Sequence, residues 1–190
     1  LLVADEVGVG KTIEAGLVIK ELRARTELGP VLIVCPKPLV AERKWHSELK
    51  RFDEDFTTLD GPLLRHCLRE TALDGEWPQQ YNNSIVPFSL FDADLLVGRE
   101  ARKRSGQPGL LSLDPPPRFG LVIVDEAHHL RNPSTLLHQG VRYLCDNADA
   151  VVFLTATPIQ LGSDDLYTLL NALRPDLIID RASFELMAAP

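Results

Sequence analysis

The feature that restricts this chain most is Asp5-Glu6-Val7-Gly8-Val9-Gly10-Lys11-Thr12, a Gly-rich stretch ending in Lys-Thr. The apolar run Leu1–Ala4 precedes it. Behind it Ala15, Val18, Ile19 and Leu22 fall at the i, i+3, i+4, i+7 spacing of one helix face. A Gly-rich turn between a strand and a helix is the context that a phosphate-binding loop requires. Gly8 and Gly10 let the backbone curl so that successive N–H groups face the phosphates. Lys11 offers a point charge to the β- and γ-phosphates, Thr12 a hydroxyl to Mg²⁺, and the helix its positive N-terminal end. Gly8, Val9, Gly10, Lys11, Thr12 and Ile13 are therefore the expected nucleotide contacts. One departure from the general G-x-x-x-x-G-K-T pattern is visible, since its first Gly is Asp5 here. Taken alone, the stretch is also compatible with a Gly-rich turn carrying a fortuitous Lys-Thr.

The rest of the chain alternates apolar runs with amphipathic stretches. Leu1–Ala4, Val31–Cys35, Ile85–Val86 with Phe88, Leu121–Val124 and Val151–Leu154 read as short buried strands. Ala41, Trp45, Leu49 and Phe52, and later Leu166, Leu169, Leu170 and Leu173, read as helical stripes. Strands alternating with helices predict an α/β fold, a mostly parallel sheet with helices on both faces. Asp53–Asn83, with Asp60-Gly61, Asp74-Gly75, Pro78 and Asn82-Asn83, reads as a loop or insertion of weak periodicity. So does Ser105–Phe119, where Pro115-Pro116-Pro117 cannot continue a helix. With 190 residues the chain fits one domain. Residues 1–175 are expected to form it, and 176–190 to lead out of it after Pro175. Leu1 opens directly into an apolar run, the expectation for a segment of a longer protein. No apolar run approaches the roughly 20 residues that span a bilayer, and the three cysteines Cys35, Cys67 and Cys145 lack zinc or disulfide spacing.

Two further stretches carry chemistry. Leu121-Val122-Ile123-Val124-Asp125-Glu126-Ala127-His128-His129 is an apolar strand ending in two acids. Its carboxylates belong at the C-terminal edge of a parallel sheet, where open sheets bind their ligands. Asp125 suits Mg²⁺, together with Thr12, and Glu126 suits the attacking water. Direct zinc binding by His128 and His129 is disfavoured, because adjacent helical residues diverge and no third ligand is spaced for it. One of the pair is expected to link the nucleotide site to the next motif. That motif is Leu154-Thr155-Ala156-Thr157-Pro158-Ile159-Gln160, whose hydroxyls can hydrogen-bond neighbouring carboxylates and backbone.

The ordered set D-E-V-G-V-G-K-T-I-E-A-G, V-L-I-V-C-P-K-P-L with Trp45 and Glu48, V-D-E-A-H-H-L-R-N and L-T-A-T-P-I-Q-L resembles motifs I, Ia, II and III of the Swi/Snf-like ATPases. These are superfamily 2 relatives of helicases. The form with Leu161, where eukaryotic remodellers carry Asn, is most similar to the bacterial and archaeal branch. The resemblance covers the chain to about Pro175. It implies a RecA-like P-loop NTPase lobe that pairs with a second RecA-like lobe of the same parent chain, holds ATP and Mg²⁺ between them, and moves on double-stranded DNA. By the same resemblance Lys11, Asp125 and Glu126 are catalytic, His128, Thr155 and Thr157 couple nucleotide state to DNA grip, and Pro36, Lys37 and Pro38 touch the DNA backbone. Many relatives carry Gln where this chain has Lys44 before Trp45.

A net charge of −7 argues against binding nucleic acid through one broad basic face. The resemblance answers that objection, because its DNA contacts are few per lobe. Arg99, Arg102, Lys103 and Arg104 read as a solvated face rather than a DNA contact. Trp45 reads as core, on a stripe with Leu49 and Phe52, rather than as a stacking platform. Two other functions fit the motifs: a DEAH-type RNA helicase, which usually carries S-A-T at the third motif, and a nucleotide-sensing module without turnover. No second-lobe motif and hence no arginine finger is present, a residue worth roughly 10³–10⁵ in rate, so slow hydrolysis is expected of the lobe alone. The expected setting is cytoplasmic, nucleoid-associated in a prokaryote, with no membrane partner.

Overall fold

In the computed structural model, residues 1–4, 10–99, 106–156, 163–173 and 184 are described, without the side chains of residues 99 and 163–165. Strand β1 (Leu2–Ala4) leads to helix α1 (Lys11–Arg25), then to strand β2 (Val31–Cys35) and the short helices α2 (Lys37–Ala41) and α3 (Lys44–Leu49). Strand β3 (Thr57–Thr58), helix α4 (Gly61–Asp74), strand β4 (Asn83–Pro87) and helix α5 (Ala93–Val97) follow. A two-stranded hairpin, β5 (Gly98–Arg99) with β6 (Gln107–Pro108), precedes strand β7 (Phe119–Val124), helix α6 (Leu136–Asp146), strand β8 (Ala148–Thr155) and helix α7 (Ser163–Leu173).

The main sheet has the order β1-β8-β7-β2-β4-β3, every neighbouring pair parallel. Side chains alternate between its faces because successive Cβ atoms point opposite ways. Val31, Ile33, Cys35, Leu121, Ile123, Val152 and Leu154 face one cluster with α1 and α3; Leu32, Val34, Val122, Val124 and Phe153 face another with α4, α5, α6 and α7. The expected α/β sheet with helices on both faces is therefore the observed fold. All five residues of β2 and all six of β7 are buried, as strands covered on two sides must be.

Three expectations need correction. Asp53–Asn83 is not a loop, because α4 fills residues 61–74. The Asp60 side chain accepts from the Leu63 N–H at 2.9 Å, and Gly75 (φ 77°) closes the C-terminus through Thr71 O. Asp60-Gly61 and Asp74-Gly75, which look like turns as dipeptides, are the two caps of one helix. Its buried stripe is Leu64, Cys67, Leu68 and Thr71, a period masked by a thiol and a hydroxyl. The stripe through Ala41, Trp45, Leu49 and Phe52 is not one helix either: Arg43, at φ 53°, separates α2 from α3, and Lys50–Phe52 tighten into a 3₁₀ turn. Phe88 belongs to a 3₁₀ turn after β4, not to the strand. The expected exit at Pro175 lies outside the described residues.

Helices α1 and α3 lie close together on their face of the sheet. A Cβ at Gly16 would stand 2.4 Å from a ring carbon of Phe52, so only glycine permits this approach. The buried Glu54 carboxylate reaches back to Lys20 Nζ at 3.3 Å and Arg23 Nε at 3.2 Å, fastening the segment after α3 to α1.

Candidate nucleotide site

Strands β1 and β7 both end at the C-terminal edge of the same parallel sheet, β7 leading directly into the two acids. Gly10, at φ 100°, starts α1, and its carbonyl accepts the N–H groups of Ile13 and Glu14 at 2.7 and 3.1 Å. A left-handed residue at that point suits glycine. Ile123, whose side chain faces α1 and α3, is two residues before Asp125, so the strand period sends the Asp125 carboxylate to the same side. There a cavity of about 210 Å³ is lined by Gly10, Lys11, Thr12, Ile13, Lys44, Glu48, Asp125, Glu126 and Ala156. A larger cavity, about 490 Å³, lies around Leu1, Leu22, Asp146 and Ala148 at the opposite edge of the sheet. Parallel sheets do not bind ligands at that end.

Asp125 is 4% exposed, and both of its oxygens are held. Oδ1 accepts the Glu126 N–H at 2.9 Å and Oδ2 accepts the Trp45 indole N–H at 3.1 Å. Burial, and then the Glu126 charge, push the carboxyl above the ordinary aspartate range; the two N–H donors and Lys44 pull it back. Cys35, beside it on β2, is driven up to about 12 by burial and then by Asp125, a neutral thiol with no nucleophilic role.

Glu126 adopts φ 52° and ψ 47°, a left-handed conformation unfavourable for a side chain of its size. Its Oε2 is shielded from solvent and accepts no hydrogen bond, while His128 Nδ1 stands 3.2 Å away. The same Nδ1 lies 3.5 Å from the hydroxyl of the buried Thr155, at the end of β8. One imidazole nitrogen thus sits between the acid after β7 and the hydroxyl after β8. His129 is exposed, stacks on His128 with ring centroids 4.5 Å apart and meets Phe88 edge-on. The two rings stack although residues 128 and 129 are neighbours in the 3₁₀ turn of residues 127–130.

Of the expected nucleotide contacts, Gly10, Lys11, Thr12 and Ile13 meet Asp125 and Glu126 in one cavity, whereas Gly8 and Val9 lie outside the described residues. Thr157 and the basic residues Arg102, Lys103 and Arg104 also lie outside them. Pro36, Lys37 and Pro38 stand at the same sheet edge, where β2 passes into α2, but do not line the cavity. Trp45 is core, 1% exposed, as its stripe implies. Its hydrogen bond to Asp125, and the places of Lys44 and Glu48 in the cavity wall, were not legible in the sequence. The one signal was the proximity of Trp45 and Glu48 within a single motif.

The donor set suits a magnesium nucleotide. Among the described residues no cluster of three or more His, Cys, Asp or Glu is positioned to hold a metal by itself. Mg²⁺ needs few protein ligands when phosphates and waters supply the rest. The Thr12 hydroxyl and the Asp125 carboxylate, which line the cavity beside Lys11, have the chemistry of such a partial shell.

The family model described as SNF2-related domain matches residues 1–93 and 94–189. The RNA polymerase-associated protein RapA of Pasteurella multocida (strain Pm70) is 36% identical over 189 residues, covering 97% of this chain. RapA of Vibrio parahaemolyticus serotype O3:K6 (strain RIMD 2210633) is 36% identical over 191 residues. The chain spans only 18% of the length of each of these proteins. Among solved structures, the Sulfolobus solfataricus SWI2/SNF2 ATPase core in complex with dsDNA superposes with a TM-score of 0.68 at 22% identity. That similarity covers 98% of this chain and 34% of the other, and the ATPase core domain of the same organism gives a TM-score of 0.63.

Proposed function

Because the chain belongs to the SNF2-related, Swi/Snf-like family, we propose that it is the first ATP-binding lobe of a motor that couples ATP hydrolysis to movement along double-stranded DNA. The observation that carries this reading is the convergence of Lys11 and Thr12 with Asp125 and Glu126 in one cavity at the sheet's C-terminal edge. When bound, Mg²⁺ would supply positive charge to offset the charge that develops on the phosphates. Thr12 and Asp125 would hold it. Lys11 places a cation against the β- and γ-phosphates. The Glu126 carboxylate, in the cavity wall beside Lys11 and Thr12, would orient a water and accept its proton. His128, between Glu126 and Thr155, passes the state of that carboxylate to the strand end that leads into Thr157.

Double-stranded DNA would run along the outer rim, with Pro36, Lys37 and Pro38 against its backbone, and a second RecA-like lobe of the same polypeptide would close the cleft. DNA in the Sulfolobus complex supports this choice of substrate. RNA polymerase, the partner stated in the name of RapA, is the protein partner to examine first. No helix among the described residues is long and apolar enough to cross a membrane. A cytoplasmic setting is part of the proposal.

The test is ATP hydrolysis by the full-length polypeptide, alone and with duplex DNA, single-stranded DNA or RNA. Stimulation by duplex DNA that disappears in Glu126→Gln is the expected result. Stimulation confined to RNA, with strand separation, would replace the proposal by an RNA helicase. Tight ATP binding without stimulation by any nucleic acid would replace it by a nucleotide-sensing module.

A further inference from the structure

The hydrogen bond between α3 and the end of β7 joins two parts of the chain 80 residues apart. It is also a bond between two buried side chains. Resting on the nucleotide-site reading above, the geometry points to Trp45 as a positioning residue that fixes the magnesium-binding carboxylate of Asp125 through its indole N–H.

The chemistry of the pair favours this role. An indole N–H only donates; it neither ligates a cation nor takes a proton from the carboxylate. It therefore orients Asp125 without competing for what Asp125 binds. Each carboxylate oxygen accepts one N–H, Oδ1 from Glu126 and Oδ2 from Trp45, and each keeps lone pairs for a cation or its waters. The Glu126 donor belongs to the backbone next to Asp125 and travels with it. Trp45 is the donor that comes from another element, so it is the one that ties the carboxylate to the rest of the lobe.

The indole is itself fixed. Trp45 belongs to the buried cluster of Ala15 and Ile19 of α1, Cys35 of β2 and Leu49 of α3. Arg43, in the left-handed region, breaks the helical stretch two residues before it and starts α3 afresh. The consequence extends beyond the metal. Trp45 follows α2, which starts at Lys37 in the segment proposed to meet DNA. One side chain thus connects the element that follows the proposed DNA-side segment to the carboxylate that would hold Mg²⁺, within a wall to which Lys44 and Glu48 also contribute.

The test uses the 190-residue chain with ADP as probe and Mg²⁺ titrated, followed by calorimetry. Trp45→Phe keeps an aromatic ring and loses the N–H. Its ADP affinity in the presence of a chelator should equal that of the unsubstituted chain. The Mg²⁺ needed for half of the magnesium-dependent gain should rise about tenfold, as for other residues that orient a metal ligand. An independent readout is nuclear magnetic resonance of the two indole N–H groups, Trp45 and Trp77. Asp125→Ala should shift the Trp45 resonance and speed its hydrogen exchange, leaving Trp77, bonded to Tyr81 O, unmoved. If Trp45→Phe fails to fold, this second measurement decides alone. An unchanged Mg²⁺ requirement in Trp45→Phe, alongside a raised one in Asp125→Ala, would overturn the role of Trp45 and leave the nucleotide site standing. So would a Trp45 resonance indifferent to Asp125→Ala. If Asp125→Ala and Lys11→Ala both bind Mg²⁺ and ADP like the unsubstituted chain, the site reading itself is wrong, and the inference falls with it.

Discussion

Glu126 is expected to lower the stability of the protein that it serves, and the effect can be separated into backbone and charge parts. Its φ of 52° and ψ of 47° place a long side chain in the left-handed region. That conformation costs roughly 1–2 kcal/mol for an ordinary L-residue. Its carboxylate adds a like charge beside Asp125, and its Oε2 is shielded without a hydrogen bond. Glu126→Gln removes the charge and keeps the strained backbone. Glu126→Gly removes both, but glycine returns about 0.5–1 kcal/mol through the greater freedom of the unfolded chain. Glu126→Gly should therefore be more stable than Glu126→Gln by about 0.5–1 kcal/mol. For a chain of this length that is a Tm difference of roughly 1–4 °C. Glu126→Gln should be at least as stable as the unsubstituted chain. Thermal unfolding without nucleotide or Mg²⁺ measures both differences, and hydrolysis should be lost in both variants. A Glu126→Gly chain that melts at or below Glu126→Gln would refute the idea that strain is stored at this position.

Three other outcomes are expected. A Cβ at Gly120 would stand 2.6 Å from the backbone nitrogen of Gly29, whereas a Cβ at Gly29 would find its nearest neighbour at 3.3 Å. Gly120→Ala should thus lose about 1–3 kcal/mol in urea unfolding, and Gly29→Ala clearly less. Lys44→Gln, which installs the residue that many relatives carry, should weaken Mg-ADP binding about 2–5-fold by calorimetry, because the lysine is exposed and its charge is screened. A loss as large as that of Lys11→Ala would place Lys44 directly on the phosphates. Cys35 and Cys67 are raised by burial from an ordinary value of 9.0 to about 12. A thiol held neutral by the fold binds its proton more tightly in the folded chain. Its contribution is therefore complete below pH 9.0 and fades as pH rises toward about 12. Stability should fall across that window, and a thiol reagent at pH 8 should modify these two cysteines only as fast as the chain unfolds.

Much of the fold was legible because strands buried on both faces are written as short continuous apolar runs. Val31–Cys35 became β2 with the same bounds, and Leu121–Val124 became most of β7. Helix α4 was not legible, since its caps use the Asp-Gly pairs that also make turns and its buried stripe includes Cys67 and Thr71. Helix α6 was missed as well. It buries His138 and Gly140 beside Val141 and Leu144, with His138 Nδ1 2.6 Å from Leu130 O, and neither residue type advertises a core position.

By itself the sequence determined the parallel α/β architecture, the helix start that carries Lys11 and Thr12, and the strand end that leads into Asp125 and Glu126. Those depend on local chemistry: glycines that allow a tight turn, apolar runs that demand burial, and acids that a strand end must deliver to one edge. Only the tertiary structure decided that Trp45 would bond to Asp125, that Lys44 and Glu48 would wall the cavity, and that one nitrogen of His128 would stand between Glu126 and Thr155. Trp45 and Asp125 are 80 positions apart and His128 and Thr155 are 27 apart, while Lys44 and Glu48 bring α3 against a distant strand. They depend on the strand order, which brings β7 beside β2 and β8, and on the break at Arg43 that starts α3 anew. Local residue patterns specify which elements form; distances between side chains from different elements follow only once those elements are packed.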